Sequence, residues 1–304
     1  MSTRITQGLL DLLVDLADYR ILSLSQFAHL HFGGKRVARR RMQQLVAEGL
    51  VELLPGVLMQ RGGRPENVYG LSKAGLQLLK SEKALDRRLT FEQVGGENLS
   101  HQAAHQLLLG WCRIHLVQLC RMCPRLEFRL LTCNSPLALD QETGVPIVRT
   151  QVALGNDTLV HIAPDAAFII SDIEQPKSLL FFLEVDMGTE PLTSEDGGDI
   201  REKINRYKHC FRTTAYKRYE TTWAVPLNGF RLLFASHCAS RLGPLCSTVR
   251  AMSPSVFVWG TSADRMFAEG ISGAIWVPGG RTDQESKSIL GGLVQRTPLP
   301  RLTE

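Results

Sequence analysis

Asp165, Glu184 and Asp186 are the residues of this sequence best placed to do chemistry. Asp165 follows Pro164 and opens an apolar run from Ala166 to Ile170, and Glu184 and Asp186 close a second run from Leu179 to Leu183. Short runs rich in Phe, Ile and Leu, bounded by turn residues such as Glu174-Gln175-Pro176, read as buried strands. Residues two apart on a strand point the same way, so Glu184 and Asp186 share one face. Two adjacent strands would then bring three carboxylates to one end of a sheet. Such crowding is costly unless a proton or a cation neutralises it, and hard oxygen donors favour Mg2+ or Mn2+. A divalent ion held there could activate water and stabilise the charge of a cleaved phosphodiester.

The pattern Pro164-Asp165, then Glu184-x-Asp186 on the next strand, resembles the PD-(D/E)xK nuclease core. That resemblance implies a lysine at position 186, where this chain has aspartate. The following helical stretch supplies Lys203, with Tyr207 one turn on. This Lys-x-x-x-Tyr spacing resembles the Gln-x-x-x-Tyr helix motif of some members of that superfamily. A lysine there could orient water or hold the scissile phosphate. The opposing reading is a nuclease fold kept as a scaffold, with the carboxylates solvated at a strand end. His105 could act as a general base or support one. His105 and His161 can equally be packed, hydrogen-bonded histidines.

The elements ahead of this site point to a polyanion. Ile5, Leu9, Leu12, Leu13 and Leu16 keep a helical period; Ser25 is the expected N-cap of a second, short helix; and Gly33-Gly34 is a turn. A third helix is expected over Lys35–Glu48, ended by Gly49. Ala38, Met42, Leu45 and Val46 gather on one side of it, and Lys35, Arg36, Arg39, Arg40 and Gln43 on the other. Lys and Arg neutralise phosphates or reach guanine edges, and Gln can pair with adenine. A strand at Leu50–Leu54, a turn-rich stretch bearing Arg61 and Arg64, a strand at Asn67–Leu71 and a helix capped by Ser72 complete an order that resembles a winged helix-turn-helix. Arg61 and Arg64 would then touch the backbone or minor groove from the wing. The plainer reading of the basic run is a solvated helix face.

Charge agrees with the first reading. The chain has 304 residues and a net charge of +5, and residues 1–90 hold 14 Lys and Arg against 8 Asp and Glu. The rest is near neutral, so the net excess belongs to the N-terminal segment, where a polyanion such as double-stranded DNA would be met. With 44% hydrophobic and 21% charged residues, the composition is globular. No apolar run is long enough to span a bilayer, and Asp11, Asp15 and Asp18 interrupt the N-terminal apolar stretch, so neither a membrane span nor a signal peptide is expected. Seven cysteines without an export signal read as reduced thiols of a cytoplasmic protein. Cys112, His115, Cys120 and Cys123 have zinc-like spacing, but all fall within one helical pattern whose apolar stripe they also form. No Gly-rich phosphate loop and no Gly-x-Ser-x-Gly elbow is present, which argues against nucleotide hydrolysis and serine hydrolase chemistry.

The polar stretch 81–100 marks a boundary, which gives a domain at 1–90, a second at 98–280 and a flexible tail at 281–304. The second domain is expected as a mixed sheet flanked by helices, with strands at Leu126–Leu131, Arg231–Ala235, Val256–Trp259 and Ala274–Trp276 and a hairpin about Gly155-Asn156. The fold class is therefore α/β (α+β) in two domains. The whole run, from the N-terminal helices through His105, Pro164-Asp165, Phe182–Glu190 (FLEVDMGTE) and Lys203…Tyr207, resembles the replication-relaxation family of plasmid and mobile-element proteins. That resemblance implies action on DNA in replication, relaxation or mobilisation, alongside replication, transposition or mobilisation proteins. It leaves two readings open. One is a Mg2+- or Mn2+-dependent endonuclease using Asp165, Glu184, Asp186, Lys203, Tyr207 and His105. The other is a non-catalytic DNA-binding factor or assembly subunit with a degenerate nuclease fold.

Overall fold

The computed structural model describes residues 5–54, 66–95, 102–140, 144–153, 159–175, 177–194 and 198–291. Two compact units are present, one formed by Met1–Ile114 with Asn134–Pro146 and the other by His115–Cys133 with Ile147–Glu304.

In the first unit, α1 (Gln7–Tyr19) starts at Thr6, whose side chain accepts the Leu9 N–H, and buries Leu9, Leu12, Leu13 and Leu16. After β1 (Ile21–Ser23) comes α2 (Leu24–His31). Its N-cap is Ser23 rather than the expected Ser25. Ser23 and Gln26 form a reciprocal capping box. Ser25, in the first turn, is committed instead to Glu66, which accepts both its N–H (2.8 Å) and its hydroxyl. The basic helix α3 (Lys35–Ala47) buries Ala38, Met42 and Leu45 and ends before Gly49, whose φ of 72° suits glycine. Then follow β2 (Val51–Leu53), β3 (Val68–Leu71) and α4 (Lys73–Ser81). The three short strands pair antiparallel in the order β1-β3-β2. Ser72 caps α4 as expected, accepting the Gly75 N–H at 2.9 Å. A Cβ on Gly75 would lie 2.3 Å from the Leu50 carbonyl oxygen, so only glycine lets α4 approach β2 this closely. Arg61 and Arg64 lie outside the described residues.

A short helix α5 (Phe91–Val94) precedes the long α6 (Ala103–Met122). The first unit extends beyond residue 90 because Ala103 and Leu107 of α6 pack with Ile21, Leu54 and Val68. The buried Gln26 amide also donates to the Leu107 carbonyl at 2.8 Å. Residues 134–146 return to this unit, with Asn134 donating to Gln106 at 2.9 Å.

The second unit is built on strands β4 (Leu126–Thr132), β5 (Thr150–Ala153), β6 (Leu159–Ile162), β7 (Ala166–Asp172), β8 (Lys177–Asp186), β9 (Phe230–Ser236), β10 (Val258–Ser262) and β11 (Val277–Pro278). Six of them form one mixed sheet in the order β11-β10-β9-β8-β7-β4. β8, β9 and β10 run parallel, while β7 and β4 are antiparallel additions at one edge and β11 at the other. The last strand lies just beyond the expected Ala274–Trp276, and Trp276 instead bridges to Lys287. β5 and β6 pair antiparallel as expected, with the Gly155-Asn156 turn outside the described residues. Helices α7 (Ile200–Arg212), α8 (Arg218–Trp223), α9 (Ala239–Arg250) and α10 (Ala263–Glu269) complete the unit. Phe182 of β8 packs on Tyr207, Tyr219 and Phe230, with ring centroids 5.3, 5.6 and 4.8 Å away, and this cluster holds α7 and α8 on the sheet.

Cys112 and Cys123 are buried along α6, and the His115 ring accepts the Ile271 N–H at 3.1 Å. Residues 281–291 are not a loose tail. Ile289 and Leu290 are buried, and Trp276 and Lys287 exchange backbone hydrogen bonds of 3.1 and 2.7 Å. Two large apolar side chains in a polar run find the core regardless of the run's average polarity. Among the described residues, no helix is long and apolar enough to cross a membrane.

Candidate active site

β7 and β8 deliver Asp165 and Glu184 to the same place. Ala166 pairs with Leu183, so Asp165 lies one step beyond the ladder, beside Glu184. Its carboxylate accepts the Val185 N–H at 2.7 Å. Its own carbonyl accepts from Cys133 at 3.1 Å. Glu184 is 4% exposed. One of its oxygens accepts the Tyr207 hydroxyl at 2.6 Å, and the other accepts from the Lys203 ammonium at 3.2 Å. Both partners come from α7, one turn apart, because Ile200, Ile204, Tyr207 and Cys210 form its buried face and Lys203 flanks them. Asp199 caps this helix, accepting the Glu202 N–H at 2.7 Å.

The electrostatics follow from burial. Desolvation pushes the Glu184 carboxyl up to about 7; the negative charge of Asp165 adds to the rise, and Lys203 only partly offsets it. Burial alone would lower the Lys203 pKa, but Glu184, Glu190 and Asp165 together hold it above its ordinary value. Tyr207 is raised well above its ordinary value, first by burial and then by Glu184. The nearby Cys133 thiol is pushed up to about 12 by burial and by the charges of Asp165 and Glu184.

Asp186 does not join this pair, contrary to the convergence of three carboxylates expected from its spacing. It is taken up by Arg241 of α9, whose guanidinium reaches its two oxygens at 2.7 and 3.3 Å. The same guanidinium donates to the Glu190 carbonyl at 2.6 Å, and Asp186 also accepts the Gly188 N–H at 2.8 Å. Gly188 has φ 77°, and a Cβ there would lie 3.1 Å from the His237 ring. Among the described residues, no group of three or more His, Cys, Asp or Glu side chains is placed to hold a metal ion.

His105 is half-buried on the part of α6 that belongs to the first unit, whereas Asp165, Glu184, Lys203 and Tyr207 all belong to the second. His161 is exposed on β6, opposite Gln151. Two contributors escaped the sequence reading. Glu190 lies 2.8 Å from the Lys203 ammonium, and Arg241 neutralises Asp186. Glu190 had a signal, since it closes the Phe182–Glu190 stretch; Arg241 had none. In the first unit, Arg36, Arg39, Arg40 and Gln43 are exposed along α3 and Lys35 is half-buried.

A family model described as replication-relaxation matches residues 13–225. The chain belongs to the replication-relaxation family. The family match takes in α3 and the Asp165–Tyr207 segment and stops short of Arg241. No curated protein matches. Among solved structures, the structure of SdaI restriction endonuclease aligns over 81% of this chain and 78% of that one, at 13% identity and a TM-score of 0.17, which is too low to carry any argument.

Proposed function

We propose that this family member is a DNA-binding protein of a plasmid or mobile element that acts as a metal-dependent endonuclease in replication, relaxation or mobilisation. The observation that carries the reading is the meeting of Asp165, Glu184 and Lys203 at the ends of β7 and β8. It provides two acids and a cation, with the lysine supplied by α7 in place of the strand position held by Asp186. The second unit is read accordingly as a PD-(D/E)xK-type fold.

The donor set fits Mg2+ or Mn2+. Mg2+ is commonly held by one or two carboxylates plus waters and substrate phosphate, and Asp165 and Glu184 are two such ligands. Such an ion would polarise the scissile phosphodiester and lower the pKa of its bound water. The chain's own groups do the rest. Tyr207 orients Glu184 through its 2.6 Å hydrogen bond. Lys203 is placed to hold a phosphate oxygen or a water against that carboxylate. Asp186 serves with Arg241 to fix the turn that carries Glu190.

In the first unit, the order α1–β1–α2–α3–β2–β3–α4 is read as a winged helix-turn-helix. α3 would be presented to the major groove, with Lys35, Arg36, Arg39, Arg40 and Gln43 against phosphates and base edges. Its sidedness supports this, because Arg36, Arg39 and Arg40, opposite Ala38, Met42 and Leu45, are basic and exposed.

Incubating the protein with supercoiled and linear DNA and Mg2+ or Mn2+ tests the nuclease. Cleavage should occur and should fall by at least about 100-fold in Asp165→Ala. Wild type that cuts no better than Asp165→Ala overturns it. One observation favours a second reading: the strand position where the resemblance implies a lysine is a closed Asp186–Arg241 ion pair. The chain would then be a non-catalytic DNA-binding factor or assembly subunit. It would bind DNA in chelator with steep salt dependence and never cut.

A further inference from the structure

Residues 200–218 hold seven Lys or Arg against one acidic residue, Glu202. The near-neutral total beyond residue 90 conceals this local excess. It lies mainly on α7, the helix that turns Lys203 and Tyr207 inward. Arg201, Asn205, Lys208 and Arg212 recur at the spacing i, i+4, i+7 and i+11, so they form one stripe along the helix. The stripe is about 16 Å long, close to the rise of roughly five base pairs. Arg201, Asn205 and Arg212 are exposed. Lys208 is half-buried, and its ammonium donates to the Ser253 carbonyl at 3.1 Å.

Lys208 and Arg212 are like charges one turn apart, an arrangement that destabilises a helix unless an anion lies between them. Among the described residues, no ion pair takes up either one. Burial and then the charge of Arg212 lower the Lys208 pKa, in keeping with crowded cations. Past the helix, Lys217 and Arg218 are exposed on the 3-10 turn Ala215–Lys217 and the start of α8. Phe211, 52% exposed, stacks on Tyr216 beside them. Arg201, Arg206 and Lys217 have acidic neighbours, at 3.5 Å to Asp199, through Glu202 and at 4.0 Å to Glu220. Among the described residues, the charge without an acidic partner therefore sits at Lys208, Arg212 and Arg218, the last donating to the Arg149 carbonyl at 2.7 Å.

We propose that this face of α7 and the turn after it form a second binding surface for the phosphate backbone of duplex DNA, through which the second unit holds DNA independently of α3. The proposal rests on the DNA-binding reading above and adds a site to it. Its partner is identified by charge complementarity, because a row of uncompensated cations over an exposed ring suits a polyanion. Phosphate contacts of this kind position the duplex and carry no base sequence.

The test uses the full-length chain and a short labelled duplex, titrated in chelator so that cleavage plays no part, from about 50 to about 200 mM salt. Removing three phosphate contacts with Lys208→Gln, Arg212→Gln and Arg218→Gln should lower the slope of log affinity against log salt by roughly two to three. Affinity at low salt should fall about tenfold or more. The same loss should appear on top of Arg39→Ala with Arg40→Ala. Lys208→Arg with Arg218→Lys should keep the wild-type slope. If the triple variant folds poorly, Arg212→Gln alone, at an exposed position, should lower the slope by about one. Unchanged slope and affinity in these neutral variants, with wild type binding normally, overturns this surface alone. Wild type that does not bind duplex at all overturns the DNA-binding reading itself, and the two failures are thereby distinct.

Discussion

The two candidate DNA-facing regions carry their charge in opposite ways. α3 of the first unit displays Arg36, Arg39, Arg40 and Gln43 to solvent over a buried back of Ala38, Met42 and Leu45. The β8 end of the second unit hides its charge. Glu184 and Asp186 are both nearly inaccessible, and each is tied to a cation from a helix, Lys203 in one case and Arg241 in the other. Exposed charge costs a fold almost nothing and acts at long range, whereas buried charge must be compensated by named partners. The first region can therefore lose charges and keep its structure, while in the second, structure and charge cannot be separated.

Arg241→Ala is the hardest test of that contrast. It leaves the buried Asp186 carboxylate with the Gly188 N–H as its remaining hydrogen-bond donor among the described residues. Breaking a buried ion pair from one side costs about 3 to 5 kcal/mol. Urea or thermal unfolding should show a loss of that size, and Arg241→Ala combined with Asp186→Asn should recover part of it. A change within about 0.5 kcal/mol, the range of ordinary surface substitutions, would mean that Asp186 is not held as described.

Glu184 makes the same point through pH. Its carboxyl is raised from the ordinary 4.5 to about 7, chiefly by burial. Between these values the folded chain keeps a proton that the unfolded chain has released, so stability falls as pH rises from about 4.5 to about 7 and levels off above. Glu184→Gln removes this dependence. The stability of wild type relative to the variant should decline by up to about 3 kcal/mol across that window. Lys203, whose pKa is also raised, acts only at alkaline pH and leaves the window untouched. A flat difference between the two proteins from pH 4 to 8 would show that burial does not perturb this carboxyl.

Legibility in the sequence divides along the same line. α3 could be read because its whole argument sits in thirteen consecutive residues, periodicity and charge together. Asp165, Glu184, Lys203 and Tyr207 could be read because each lies at an end or on a face of a strongly patterned element. Arg241 could not, because it meets Asp186 across 55 residues of chain and no local pattern marks it. The basic face of α7 was lost to averaging, since counting charge over everything beyond residue 90 cancels Arg212 against distant acids. The first unit runs past residue 90 because Ala103 and Leu107 pack into its core, which a polar linker does not reveal. The capping serine of α2 is legible in local spacing. Ser23 has Gln26 three residues on, the spacing of a capping box, and Ser25 has no such partner.

Arg39→Ala with Arg40→Ala probes the exposed side of the comparison. Both side chains point outward, so unfolding stability should stay within about 0.5 kcal/mol of wild type. Duplex affinity should fall roughly tenfold or more, and the salt slope by about two, uniformly across sequences if both arginines meet phosphates. Lost binding accompanied by lost stability would place these arginines in the fold rather than on its surface.

The smallest effect expected is at Ser23, and it separates support from contact within the first unit. The Ser23 hydroxyl accepts the Gln26 N–H at 3.3 Å, and the Gln26 side chain accepts the Ser23 N–H at 2.9 Å. α2 packs against α3. Ser23→Ala removes the cap and leaves every basic residue of α3 in place, so it should cost about 1 kcal/mol of stability. The salt slope of DNA binding should be unchanged, because no phosphate contact has gone. Ser23→Gly should cost only a few tenths of a kcal/mol. A changed slope in Ser23→Ala would mean that the cap sets how α3 meets the duplex, and the boundary between scaffold and contact surface would then run through α2.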